Sequence, residues 1–377
     1  MATLTYQLPA SLTFENHTDI EQDILAKIGE GTFDSVVFDA QKTEYISSAG
    51  LRVILSIKKK VPDVSVINAS SVVYDIFRMT GFTSLINVDR AFREISTEGC
   101  EIIGQGAHGT VYRLAPDTIV KVYGPDASLE EIKKERELSK QAFVLGLPTA
   151  IALDIVRVGD QYGTVFELLN AMSCVNYIKE SPANVDDFIN KAVALLKKVH
   201  KITIDDDSLP NLKEATFSYL DRVKQFLNEQ EYQDVKQIIN DIPETKTLIH
   251  GDFHIKNILV SDKELMLIDM DTLAVGHPVF ELANMCNTYY EFGIVDPEAV
   301  TNFLTIPLET ANRIWYESAE KYCEDLSEQE YQALINKARL IGCVRALHFF
   351  NKRNYEKNMI EKCLIDLRKS IELIKEK

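Results

Sequence analysis

One stretch of this chain leaves little freedom to the fold around it: Leu248-Ile249-His250-Gly251-Asp252-Phe253-His254-Ile255-Lys256-Asn257-Ile258-Leu259-Val260. Apolar residues suited to buried strands flank a polar loop of the form H-G-D-x-x-x-x-N. Leu265-Met266-Leu267-Ile268 then reads as a further strand, and it ends in Asp269, seventeen residues after Asp252. A turn holding one Asp and one Asn is common. Four fixed positions followed by an apolar strand ending in Ile-Asp are not. Asp252 can accept a proton from an attacking hydroxyl. Asn257 offers an amide oxygen and Asp269 a carboxylate, hard oxygen donors of the kind Mg2+ prefers. His254 reads as a local hydrogen-bond donor rather than a metal ligand.

A second motif lies upstream. Gly104-Gln105-Gly106-Ala107-His108-Gly109-Thr110-Val111 has the pattern G-x-G-x-x-G-x-V. Its glycines let a backbone approach a polyphosphate and present N–H groups to it. The strand Val111 to Leu114 follows, where a dinucleotide-binding turn would open a helix. A phosphate-covering hairpin is the better match. Twelve residues after Gly109, Lys121 stands among β-branched residues in Ile119-Val120-Lys121-Val122. A surface lysine on a half-buried strand has the same appearance, but this spacing suits a lysine that holds nucleotide phosphates. Such a lysine is steadied by a carboxylate on the next helix. Glu137 is preferred on spacing and Glu135 is the alternative; two positions apart, they face different sides of that helix.

The chain divides by texture. At 377 residues it is too long for one ordinary core. Residues 1–97 alternate short strands (Val36-Val37-Phe38, Val64 to Ile67, Leu85 to Val88) with helices (Ala49 to Val61, Val72 to Met79), an α/β layer. The polar stretch Glu94 to Gly99 marks the boundary. Residues 98–169 read as strands around one charged helix, Leu129 to Val144. Residues 170–377 read as helices, among them Val185 to Lys201, Ala215 to Gln230 and Ser327 to Lys377 with a break near Arg353-Asn354. Ser327 with Glu330 has the form of a capping box. A strand-rich small lobe before a helical large lobe is the arrangement of a bilobal α+β kinase.

Residues from about 100 to 377 resemble the aminoglycoside phosphotransferase and choline kinase superfamily, whose H-G-D-x-x-x-x-N and following I-D are present. The resemblance implies a protein-kinase-like fold and phosphoryl transfer from ATP. It makes Asp252 the catalytic base and gives Mg2+ to Asn257 and Asp269. Lys121 with Glu137 would position the α- and β-phosphates under Gly104, Gly106 and Gly109. The adenine would lie against the connector Phe166-Glu167-Leu168-Leu169, with Glu167 and Leu169 as contacts. One position departs from the pattern: Glu281 stands where the family often has Asp. Two features separate the chain from regulated protein kinases. Gly251 replaces the arginine that pairs with a phosphorylated activation loop. Only about nine residues separate Asp269 from Pro278, little room for a peptide-docking segment. A small-molecule alcohol is therefore the expected acceptor, and Tyr289, Tyr290 and Glu291 are candidates for its wall.

Near the N-terminus, Tyr45-Ile46-Ser47-Ser48-Ala49-Gly50-Leu51-Arg52 follows the strand Val36 to Asp39. A serine just ahead of a helix is ordinarily its cap. Residues 3 to about 96 resemble the STAS domain of anti-sigma factor antagonists, through that segment, the strand at Val66-Ile67-Asn68 and Phe77-Arg78-Met79-Thr80-Gly81-Phe82. In that family a serine at this helix start is phosphorylated, and the pattern puts Ser48 there, with Ser47 in place of the usual Asp. The resemblance also implies a protein partner for this domain. Phosphate at a helix N-terminus is favoured by the dipole and the free N–H groups. A possible kinase and a possible acceptor serine in one chain make a signalling kinase acting on Ser48 the second functional reading. A nucleotide-sensing scaffold is the third, disfavoured by the intact Lys121, Asp252, Asn257 and Asp269.

Composition narrows the field further. With 57 Asp and Glu against 41 Lys and Arg, the formal charge is −16, which argues against nucleic acid as the main partner. No apolar run approaches the roughly 20 residues of a membrane span. The N-terminus lacks a secretory pattern. Six scattered cysteines without a C-x-x-C pair suggest reduced thiols and a cytoplasmic protein.

Overall fold

The computed structural model describes residues 2–376 apart from 32, 107, 108, 206, 262, 263 and 353–356. Ala107 and His108 of the glycine motif, and the break expected near Arg353-Asn354, lie outside the described residues. The chain separates into two compact units, Met1–Gly99 with Ile155–Gly163, and Cys100–Asp154 with Thr164–Lys377.

In the first unit, strands β1 (Thr3–Gln7), β2 (Ser35–Asp39), β3 (Asp63–Ala69) and β4 (Asn87–Arg90) form a four-stranded sheet in that order, every neighbouring pair parallel. Parallel neighbours need crossovers. Helices α1 (His17–Gly29), α2 (Ser48–Lys58) and α3 (Ser71–Met79) provide them. Alternate residues of β2 and β3, such as Val36, Phe38, Val64 and Val66, are buried against Leu51, Ile54, Val73 and Phe77 of the helices. Strand β1 and helix α1 are additional to the elements expected from the sequence. The cap of α2 is Ser47, whose Oγ accepts from Gly50 N at 3.4 Å. Ser48 is the first helical residue and is exposed.

The second unit begins with strands β5 (Ile102–Gly106), β6 (Gly109–Ala115) and β7 (Thr118–Tyr123), joined as an antiparallel meander. Helix α4 (Leu129–Val144) follows, opened by a complete capping box between Ser128 and Glu131. Strands β8 (Ala152–Val158) and β9 (Gln161–Glu167) follow, their residues Ile155–Gly163 belonging to the first unit. The remainder is helical: α5 (Pro182–Val199), α6 (Leu212–Val223), α7 (Glu229–Asn240), α8 (Val279–Cys286), α9 (Leu308–Tyr322), α10 (Glu328–Lys352) and α11 (Lys357–Lys375) are its longer members. The single helix expected from Ala215 to Gln230 is two. Asn228 caps the second through a capping box with Glu231, so the backbone restarts where one amphipathic run was expected. The Ser327–Glu330 box does open α10, with Ser327 N donating to the Glu330 carboxylate at 2.9 Å.

Within the helical lobe, Leu248, Phe253, Ile255, Ile258, Leu267, Leu282 and Tyr289 share one buried cluster. The loop between the short strands is therefore anchored at both ends in the core. Among the described residues all six cysteines are free thiols, and no helix is long and apolar enough to cross a membrane.

One buried ion cluster crosses three elements of this lobe. Arg339 on α10 donates to Glu291 at 3.1 Å and to Asp366 on α11 at 2.7 Å. One cation cannot neutralise two buried carboxylates. Burial and then Asp366 push Glu291 up to about 8, while Asp366 stays below its ordinary value, burial opposing and Glu291 and Arg339 lowering it. Glu291 terminates a π-helical turn, Asn287–Glu291, which follows α8 directly. The folded chain holds the Glu291 proton to about pH 8 and the unfolded chain releases it near 4.5, so stability falls as pH rises between them. Urea midpoints measured across that window should decline for the wild type, and Glu291→Gln should flatten the decline.

Candidate active site

The loop after β10 (Leu248–Ile249) is shaped by bonds to its backbone. Glu281, on α8, is 0% exposed. Its carboxylate accepts from His250 N at 2.7 Å and from Gly251 N at 3.1 Å. Burial opposes its charge; His200, His250 and the Gly251 N–H overcome that and hold the group below its ordinary value. The Gly251 carbonyl accepts from Asn284 Nδ2 at 2.6 Å and from Arg345 Nη1 at 3.0 Å. Ile255 N donates to the Tyr289 hydroxyl at 2.8 Å. His250 is buried, accepts from Asp252 N through Nδ1 at 3.2 Å, and donates through Nε2 to Ile268 O at 3.3 Å. That bond ties the loop to the segment carrying Asp269. Gly251 has φ +85°, and a Cβ there would collide with the Thr272 carbonyl. No other residue type fits that position without strain.

Asp252 is aimed by its own loop. Asn257 Nδ2 donates to Asp252 Oδ2 at 2.9 Å and to its carbonyl at 3.0 Å. His254 Nε2 lies 3.1 Å from the same carboxylate oxygen. Burial opposes the charge of Asp252, but His254, Arg345 and His250 hold its carboxyl well below the usual range. His254 Nδ1 is buried with no partner among the described residues.

Lys121 brings the lobes together. Its Nζ donates to Glu135 Oε1 at 2.8 Å and to Asp269 Oδ1 at 2.9 Å. Burial works against the ammonium, yet Asp269 and Glu135 outweigh it and raise the lysine above its ordinary value. The expected partner, Glu137, is corrected here to Glu135. On α4 the two differ by about 200° of helix rotation, and Glu137 is exposed with no ion pair among the described residues. Asp269 has φ +65°, left-handed backbone that a side chain adopts only under constraint.

Gly104 and Gly106 lie on β5. Gly109 opens β6 at φ +153°, where a Cβ would strike the Val122 carbonyl of the neighbouring strand. Glu167 ends β9 and its N–H is spent on Ile151 O; Leu168 N donates to Asp117 O. Leu169 N–H is left as the connector donor without a partner among the described residues. Asn257 Oδ1 likewise accepts no bond there, while its Nδ2 is committed to Asp252. An amide oxygen and the Asp269 carboxylate are hard donors, so this pair fits Mg2+. Of the expected wall, Tyr289 and Glu291 are buried and engaged; Tyr290 is half-exposed and packs on Tyr316. Asn284, Tyr289 and Arg345, which shape the loop, were not given these roles by sequence reasoning; they come from helices far along the chain.

Residues 99–305 match a family model described as the phosphotransferase enzyme family, and residues 2–95 match the STAS domain. An apo structure of a thermostable mutant of aminoglycoside phosphotransferase APH(4)-Ia is 13% identical, with 72% of this chain and 94% of that one covered and a TM-score of 0.50. A streptomycin–ATP ternary complex of APH(2'')-IIa is 18% identical over 80% of this chain and 97% of that one, with a TM-score of 0.48. A search of curated proteins finds no match.

Glu281→Ala would leave two buried N–H groups without an acceptor, and each such loss is worth about 1–3 kcal/mol. Urea denaturation should report a loss of about 3 kcal/mol, whereas Glu137→Ala should leave the midpoint in place.

Proposed function

We propose, from the premise that the chain belongs to the phosphotransferase enzyme family, that it transfers the γ-phosphate of ATP to a hydroxyl of a small molecule. The observation that carries this reading is the Lys121 bridge. It joins a small-lobe strand to Asp269, 148 residues away, and leaves a cation and a carboxylate where a metal-bound triphosphate needs both. The likeness in fold to the aminoglycoside phosphotransferase APH(4)-Ia supports a small molecule as acceptor.

The reaction follows from these residues. The acceptor hydroxyl lies against Asp252 and gives up its proton to that carboxylate. Its oxygen bonds to the γ-phosphorus as the bond to the bridging oxygen breaks, and ADP leaves with that charge. Lys121, steadied by Glu135, holds the non-reacting phosphates. The glycine strands β5 and β6 cover them, and the connector at Glu167 and Leu169 takes the adenine edge through the Leu169 N–H. Mg2+, held by Asn257 and Asp269, would neutralise charge on the phosphates. The family's usual Asp at position 281 is replaced by a longer carboxylate that still reaches both backbone N–H groups. Six free cysteines suit the reducing cytoplasm.

A second reading is favoured by Ser48. It stands exposed at the first turn of α2, and its hydroxyl has no hydrogen bond among the described residues. There it could take phosphate from this enzyme or from a partner of the STAS domain. Intact-mass analysis after incubation with Mg·ATP separates the readings. One added phosphate, abolished by both Ser48→Ala and Asp252→Asn, would establish self-phosphorylation; no gain with ATP bound would leave the external alcohol.

Asp252→Asn should lower kcat by about 10^2–10^4 with KM for ATP little changed. Glu135→Gln should raise KM for ATP about tenfold, the scale of a lost ionic hydrogen bond, and Glu137→Gln should not. Asp269→Ala should abolish Mg·ATP binding in calorimetry. Steady-state kinetics with equal kcat for Asp252→Asn and wild type would remove the base assignment.

A further inference from the structure

Arg345 lies on α10, partly exposed, with Nη1 on the carbonyl of Gly251, the residue before the base. That is the only hydrogen bond of its guanidinium among the described residues, although the group carries five N–H donors. No carboxylate pairs with it there. In a chain with 57 acidic residues against 41 basic ones, this is unusual for an arginine drawn out of water. Two other arginines of the helical lobe show what is ordinary. Arg339, on the same helix, is shared by Glu291 and Asp366. Arg313 pairs with Glu317 and Asp186. Holding the loop uses only Nη1 of Arg345, on a carbonyl that it shares with Asn284 at 2.6 Å, and leaves its other N–H donors open.

We infer that the alcohol phosphorylated at this site carries an anionic group, a carboxylate or a phosphate ester, and that Arg345 recognises it. The inference rests on the phosphotransferase reading and deepens it. The free edge of a guanidinium matches a carboxylate or phosphate in a two-point fork. An acceptor with its anion a few bonds from the hydroxyl would complete the ion pair that the protein leaves open while its hydroxyl meets Asp252. A polycationic acceptor would bring ammonium groups against Arg345, and like charges there oppose binding. The three wall candidates do not offset this: Glu291 is committed to Arg339, Tyr289 to the loop, and Tyr290, packed on Tyr316, brings no carboxylate.

Two acceptor series of fixed carbon skeleton test this with the full chain and Mg·ATP. One is glycerol, glycerate, glycerol 3-phosphate and 3-amino-1,2-propanediol. The other is glucose, gluconate, glucose 6-phosphate and glucosamine. ADP production above the acceptor-free rate is the readout. In at least one series an anionic member should exceed its neutral twin at least tenfold in kcat/KM, and the amine should be poorest. The carboxylate and phosphate arms show which anion is taken. Arg345→Met should remove that preference by raising KM for the anionic acceptor about tenfold, without a matching rise in KM for ATP. Arg345→Lys, which keeps the charge, should restore part of it. If no anionic member outpaces its neutral twin, including no turnover with either, the inference is overturned. It is overturned equally if Arg345→Met lowers all members by one factor, as a loop tether would. Failure of the phosphotransferase reading looks different: no ATP binding, or ADP production that Asp252→Asn leaves intact.

Discussion

A carboxylate with no access to water organises the loop that carries Asp252. Glu281 is fully buried, and a lone charge there would cost several kcal/mol. It is tolerated because the His250 and Gly251 N–H groups donate to it and because His200 and His250 stand close. The dependence runs both ways. Two successive N–H groups can share one carboxylate only when the chain turns sharply, and the left-handed conformation at Gly251 makes that turn. The same turn presents the Gly251 carbonyl to Asn284 and Arg345. These bonds hold the turn, because another geometry at Gly251 would leave the buried Glu281 carboxylate short of a donor.

The second organising contact works over a longer range. Lys121 and Asp269 belong to different lobes, and their contact at 2.9 Å closes the cleft electrostatically. Glu135 shares the same ammonium. Two carboxylates around one lysine leave a local excess of negative charge, which a metal-bearing ligand would relieve. The left-handed backbone at Asp269 fits this reading, since strain of that sort persists where surrounding bonds over-determine a position. Nucleotide entry would then exchange one set of ion pairs for another, and Lys121 need not lose a partner before the phosphates arrive.

The parts of this arrangement legible in the sequence were those with local signatures. The H-G-D-x-x-x-x-N loop, the glycine strands and the start of α10 could be read because turn chemistry, apolar alternation and the Ser327–Glu330 capping box act over a few residues. The STAS-like α/β layer was legible for the same reason, through alternating apolar strands and Gly81 at the end of α3. Of the two lysine partners the sequence offers, the structure takes Glu135, the alternative, over Glu137, the one preferred on spacing. On α4 nearly every residue from Glu130 to Lys140 is polar or charged, so sequence supplies no contrast between a carboxylate that faces a strand and one that faces water. Asn284 and Arg345 were invisible for a different reason. Their roles exist only once α8 and α10 pack on the loop, and no spacing rule links position 345 to position 251. The break between α6 and α7 was hidden because Asn228 sits inside a run whose apolar period continues on either side.

The acidity of Asp252 bears on how such a site works. A carboxylate held well below its usual range is a weak proton acceptor, which looks ill-suited to a base. Phosphoryl transfer removes the difficulty, because its loose transition state asks little of the attacking oxygen until the bond to the leaving group is largely broken. The proton of the alcohol becomes acidic only then. What the reaction needs earlier is an acceptor held in line, and an ionised carboxylate fixed by Asn257 and His254 does this better than a stronger base free to rotate. The groups that make Asp252 a poor base, His254, Arg345 and His250, also favour its ionised form, which can orient a hydroxyl. On this view the charges around the loop serve geometry first and proton transfer second.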